Sequence, residues 1–241
     1  QHLRWWNDQI GHKRLAEVRP DLISKYRAVL REQPSDYGRH QGNKRSDATV
    51  NRYVASLSAM YSCAVNEWEW VEKNPCTKVK KLRESKGRTR FLSTSEIFDL
   101  LQSCRQEVKN PEIEAIIMIA LTTGMRRGEI LGLRHSDIDR KGKRILIRES
   151  KNGESRSVPL VGQVLTALNT LTRVTSIKRD AFVFALSDTD PTKLIAVDSI
   201  WRRVRSNSGL ADFRFHDLRH SFASKLVAAG VDLYTVKGLM G

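Results

Sequence analysis

Two arginines, a lysine and a histidine, far apart along the chain, stand in local patterns suited to handling a phosphate. Arg126 lies in Thr123-Gly124-Met125-Arg126-Arg127-Gly128-Glu129-Ile130-Leu131-Gly132-Leu133. Lys151 opens Lys151-Asn152-Gly153, ahead of Arg156-Ser157-Val158-Pro159-Leu160. His216 and Arg219 share His216-Asp217-Leu218-Arg219-His220-Ser221-Phe222-Ala223. Breaking a phosphodiester calls for charge stabilisation on the non-bridging oxygens, in-line attack, and a proton for the departing oxygen. Arginine suits the first task, because its planar fork gives two parallel hydrogen bonds and stays charged. Taken singly, each residue has a plainer explanation. Arg126 or Arg127 alone reads as a surface helix charge, Lys151 as an exposed turn lysine, and His216 as a helix-start histidine. His216 and His220 also have the i, i+4 spacing of a zinc helix, but Asp217 stands where that motif wants glutamate and no third ligand stands out.

In their order along the chain, the three patterns resemble the arginine box, the hairpin lysine and the His-x-x-Arg box of the tyrosine recombinase (phage integrase) family. Leu239-Met240-Gly241 looks like the start of that family's next box, Leu-x-Gly-His/Trp. Thr49-Val50-Asn51-Arg52-Tyr53 and Asn74-Pro75 are similar to its helical core-binding domain, so the resemblance covers nearly the whole chain. It implies Arg126 and Arg219 as the phosphate clamp, Lys151 as general acid toward the leaving 5′ oxygen, His216 as a phosphate-bonding group that helps with protons, and Glu129 as the acid that orients the cations. The nucleophilic tyrosine and the second histidine or tryptophan are expected beyond Gly241, both chain ends being expected to be cut. This piece by itself is therefore expected to be inactive. Tyr234 precedes the Leu239 element, and Val231, Leu233 and Val236 beside it argue for a core aromatic.

The implied activity is site-specific DNA strand exchange through a 3′-phosphotyrosyl intermediate, as in the integration of a phage or another mobile element. The phosphotyrosine conserves the bond energy, so no cofactor and no metal is implied. The implied partner is double-stranded DNA, clamped by two domains, with a homotetramer on two sites when full length and a monomer for a piece lacking the exchanged C-terminal segments. A type IB topoisomerase-like enzyme and a non-catalytic DNA-binding relative are the alternatives.

The elements that must position these residues can be read from periodicity. Residues 1–77 read as a helical (SAM-like) core-binding domain, with apolar faces at Asp21 to Leu30 and Val50 to Val65 and a polar loop from Gln33 to Asp47. Lys78 to Arg90 carries seven cations and one acid, Glu84, and reads as a linker, either against DNA or solvated. Residues 91–241 read as a mixed α+β catalytic domain. Ser93-Thr94-Ser95-Glu96 is a capping box that starts a helix through Gln106. A helix from Pro111 ends at Thr123-Gly124, and a short one runs from Arg126 to Leu133. Arg144–Arg148 and Ser155–Leu160 form a hairpin around the lysine turn, with a short extended piece at Phe182-Val183-Phe184. Helices return near 162–172, 197–206, 217–229 and 232–240. The expected class is mainly α with a small antiparallel β-sheet.

Charge and length agree with this. The 241 residues contain 42 Lys and Arg against 27 Asp and Glu, a balance of +15, which favours a polyanionic partner. The excess is shared, with +9 in residues 1–90 and +6 in 91–241. The longest apolar run, Ala115 to Leu121, is far short of the ~20 residues needed to span a bilayer. No leader pattern opens the chain, and the spacing of Cys63, Cys76 and Cys104 fits neither a disulfide framework nor zinc. A cytoplasmic, nucleoid-associated protein is expected.

Overall fold

The computed structural model describes residues 1–35, 42–85, 87, 90–148, 155–171, 181–187 and 190–241. The chain divides into two compact units, Gln1–Arg88 and Thr89–Gly241.

The first unit is helical: α1 (His2–Ile10), α2 (Pro20–Glu32) and α3 (Asp47–Asn66), with short 3-10 turns at Leu15–Glu17 and Pro75–Lys78. Pro20 opens α2, where its missing N–H costs nothing, and the Ser46 hydroxyl caps α3 by accepting from the Thr49 N–H at 3.2 Å. Trp6, Ile10, Val18, Ile23, Leu57, Tyr61, Cys76 and Val79 form its core. The buried polar ends are satisfied: the Trp6 indole N–H donates to the Tyr53 carbonyl at 2.8 Å and the Tyr61 hydroxyl to the Leu15 carbonyl at 3.1 Å.

Two asparagines stitch this unit together. The Asn74 side chain donates to the Ser58 carbonyl at 2.9 Å and accepts from the Cys76 N–H at 2.9 Å, pinning the Asn-Pro turn to α3. Asn51 accepts from the Leu82 N–H and donates to its carbonyl, both at 2.9 Å, and donates to Glu84 at 2.8 Å. That is a strand-like exchange made by a side chain. Val79 is buried and Leu82 packs on Leu30, Val50 and Tyr53. The first part of the cation-rich 78–90 stretch is thus held against α3 rather than hanging free.

The second unit packs around α5 (Glu112–Thr123). Ile113, Ala115, Ile116, Ile117, Ile119 and Ala120 are all buried, as befits a helix that is apolar on every side. Against it lie α4 (Thr94–Arg105), α7 (Gly162–Leu171), α8 (Val197–Asn207) and α9 (Asp217–Ala228). The Ser93–Glu96 capping box starts α4, each side chain bonding the other's backbone N–H. The short helix α6 (Arg127–Leu131) follows α5, and α10 (Leu233–Met240) follows α9. Strands β1 (Ile138–Asp139), β2 (Arg144–Ile147) and β3 (Arg156–Pro159) form an antiparallel sheet in that order, with Ile145 opposite Val158 and Ile147 opposite Arg156.

The mainly α class with a small antiparallel sheet holds. One local expectation shifts: Phe182 makes only an isolated bridge to Arg134, and the strand there is β4 (Ala185–Ser187), paired with β5 (Asp190–Leu194). Pro191 lies within β5, which is why that strand does not read as one. Among the described residues no helix is long and apolar enough to cross a membrane.

One hydroxyl ties the start of this unit to α9. Ser221, fully buried, accepts from the Leu92 N–H and donates to the Asp217 carbonyl, both at 2.9 Å. Ser221→Ala strands the Leu92 N–H in the interior, and urea unfolding should show a loss of about 1–3 kcal/mol. A change within 0.3 kcal/mol, as roughly expected of an innocuous surface substitution, would mean that water reaches that amide.

Candidate active site

The site is built where α5 ends. Gly124 closes that helix in the left-handed conformation at φ +62°, and a Cβ there would run into the Phe222 ring of α9. This close approach sets α9 beside the turn, and Arg219 donates to the Gly124 carbonyl at 2.6 Å. Two residues past the glycine, Arg126 caps α6 with its backbone extended. Its N–H donates to Glu129 at 2.8 Å, and its Nη1 bonds the same carboxylate at 2.8 Å. The family resemblance implies that Glu129 orients the site's cations, and it lies in contact with one of them.

Arg126 and Arg219 are brought together. Arg126 Nη2 donates to the Gly241 carbonyl oxygen at 2.7 Å, and Arg219 Nη2 donates to the same oxygen at 3.2 Å. Two guanidiniums from distant segments therefore converge on one acceptor. Arg219 is only 8% exposed. Burial first, then the neighbouring Arg126, lowers its pKa to about 10, against the opposing pull of Glu129, so it stays charged at neutral pH.

Of the two adjacent arginines, only Arg126 joins this pocket. Arg127 forks onto Asp198 at 2.7 and 2.8 Å, with its guanidinium 5.9 Å from the Phe215 ring. His216 caps the start of α9, and its ring meets that of His220 edge-on at 5.0 Å. Partial desolvation, then His220 and Arg219, lowers its pKa below the usual imidazole value. Lys151 lies outside the described residues. Strands β2 and β3, which precede and follow it in sequence, pair antiparallel as expected.

Two residues depart from the sequence reading. Tyr234 is not a core aromatic: it is 86% exposed, and Leu233 beside it is also exposed. Val236 carries the buried face of α10, because a short helix packed on one side buries one residue per turn and leaves the rest outside. Arg156, to which the sequence assigns no role, bonds Glu129 through Nη2 at 2.7 Å and Nη1 at 3.3 Å. Strand alternation is the available signal, since it sets Arg156 on the same face as buried Val158. Among the described residues no three His, Cys, Asp or Glu side chains are grouped to hold a metal.

A profile of the phage integrase family matches residues 90–241. The chain belongs to that family. The integrase of Salmonella phage P22 is 31% identical over 80% of this chain and 51% of its own length. A shufflon-specific DNA recombinase of Escherichia coli is 30% identical over 92% of this chain and 54% of its own. The chain spans about half the length of these curated relatives. Among solved structures, the Tn1549 transposon integrase in complex with circular intermediate DNA superposes with a TM-score of 0.72 at 20% identity, over 93% of this chain and 78% of that one. A lambda integrase dimer bound to a core site gives 0.68 at 16% identity, over 100% and 84%. At such identities these two likenesses establish the phage integrase fold.

Glu129 also makes the site sensitive to acid. Burial pushes its carboxyl up, but hydrogen bonds from Arg156 and Arg126 outweigh that and hold it below the usual 4.5. A depressed carboxyl stabilises the fold fully above its unfolded pKa and stops doing so as pH falls through its folded value. The stability gap between wild type and Glu129→Gln should be constant from pH 7 to 5 and shrink below about 4.5. Urea midpoints measured at each pH check this, and a gap that widens in acid would contradict it.

Proposed function

We propose that the full-length protein is a site-specific DNA recombinase of the integrase type, which cleaves and rejoins strands by transesterification through a 3′-phosphotyrosyl ester. The observation that carries this reading is the shared oxygen, at 2.7 Å from Arg126 and 3.2 Å from Arg219. Two guanidiniums that each aim one Nη2 at a single acceptor suit the non-bridging oxygens of a scissile phosphate, whose charge grows in the transition state. Arg126, Arg156 and Arg219 against Glu129 leave two positive charges in excess, which matches the charge of a pentacoordinate phosphate dianion.

In this reading a tyrosine beyond Gly241 attacks the phosphorus. Its phenolic proton passes to a base, a role assigned here to His216. The P–O bond to the 5′ carbon's oxygen breaks, and Lys151 protonates that oxygen, releasing a 5′ hydroxyl. Glu129 orients Arg126, and the reverse attack by a 5′ hydroxyl on the phosphotyrosine rejoins a strand. Residues 1–77 serve as the core-binding domain, 78–90 as the basic connection and 91–241 as the catalytic domain, all on double-stranded DNA in the nucleoid. The working form of the full-length protein is a homotetramer on two sites.

A nicked suicide duplex tests this with the full-length protein. Covalent trapping at one sequence is the expected result. Trapping at every sequence would instead mark a relaxing enzyme, and no trapping would mark a DNA-binding relative. Arg219→Ala should lower cleavage by about 10²–10³-fold or more, with DNA affinity largely kept. A mutant that cleaves at near-native rate refutes the assignment.

A further inference from the structure

Arg156 is a charged group at the pocket that the chemistry above leaves without a task. Strand β3 sets it on the inner face with Val158, opposite Ile147 of β2, and its side chain is only 11% exposed. A guanidinium turned inward is costly unless its charge is met. It is met by Glu129, itself 10% exposed, which Arg156 grips through both terminal nitrogens.

The same carboxylate is what orients Arg126. Its two oxygens take four donors: the Arg126 N–H and Nη1 on one side, and the Arg156 fork on the other. From the α6 side each oxygen has one donor, and only Nη1 ties the carboxylate to the Arg126 guanidinium; the Arg156 fork adds a second donor to each oxygen. The second fork fixes its plane. We propose that Arg156 is a positioning residue for strand cleavage: acting through Glu129, it locks the Arg126 guanidinium so that Nη2 alone is left facing the phosphate.

Two further features fit. Sharing Glu129 between two guanidiniums keeps its charge from being spent wholly on Arg126, leaving the clamp electrophilic. Gly241 lies flat against Arg156, where a Cβ would come within 2.8 Å of Cζ, and its φ is +76°. Gly241, whose oxygen accepts from Arg126 and Arg219, is therefore also in close contact with the Arg156 guanidinium.

This inference rests on the recombinase reading, and the test separates the two. The full-length protein is assayed on the nicked suicide duplex, with DNA affinity measured in parallel. If the wild type traps no DNA, the recombinase reading fails, and Arg156 with it. If the wild type traps DNA, Arg156→Met should slow cleavage about 10–100-fold, the cost of misplacing a clamping group by roughly an ångström, while Kd changes less than about threefold. Arg156→Lys should recover part of the loss. The Glu129→Gln/Arg156→Met double variant should be no slower than the worse single one, because both act along one path. It also removes both buried charges, so it keeps the test alive if Arg156→Met fails to fold.

A duplex with a 5′-bridging sulfur gives the distinguishing readout. A thiolate departs without a proton, so that substrate should not relieve the Arg156→Met deficit if the defect lies in Arg126. Cleavage by Arg156→Met within twofold of wild type, full relief by sulfur, or additive losses in the double variant would each overturn the proposal.

Discussion

A single buried carboxylate makes the pocket possible. Arg126, Arg156 and Arg219 are drawn into one place by three different elements, and among the described residues Glu129 is the acid that opposes their mutual repulsion. Three guanidiniums without it would each demand water, and the turn after α5 could not stay closed. With it, two of the three are paired and the third, Arg219, is left with carbonyl oxygens at its tips. The result is a cationic pocket whose charge is balanced only in part.

The rest of the second unit holds that arrangement still. Gly124 allows α5 to stop in a left-handed turn, Phe222 packs over it, and the Gly124 carbonyl receives Arg219. Glycine is needed there twice over, for its φ and for the ring against it. From the other side β3 brings in Arg156, and Ser221 binds the first residues of the unit to α9. Helix end, strand and helix start thus meet at one point, and none of them positions a guanidinium alone. In the first unit the same economy appears in Asn51 and Asn74, whose amides replace backbone ladders that irregular segments cannot make.

Much of this arrangement is legible in the order of the amino acids. Ser93 and Glu96 mark the start of α4, Thr123-Gly124 marks the end of α5, and the strands around the lysine turn fall where alternation places them. Strand β5 is not legible, because Pro191 hides it. Tyr234 misleads because apolar neighbours in sequence do not say which side of a short helix meets a neighbour. Among Arg126, Arg127 and Arg156, residue type does not separate a pocket arginine from one forked onto Asp198 or one supporting Glu129.

The sequence by itself determined the local conformations and the kinds of chemistry available. Capping boxes, helix-ending glycine and strand alternation are short-range effects, and a guanidinium stays charged wherever it lies. Only the tertiary structure decided which guanidiniums share an acceptor oxygen, which of them share a carboxylate, and which apolar side chains are left in water. Those depend on contacts between residues far apart in the chain, Arg126 and Gly241 being 115 positions from each other, and no local pattern encodes a distance set by packing.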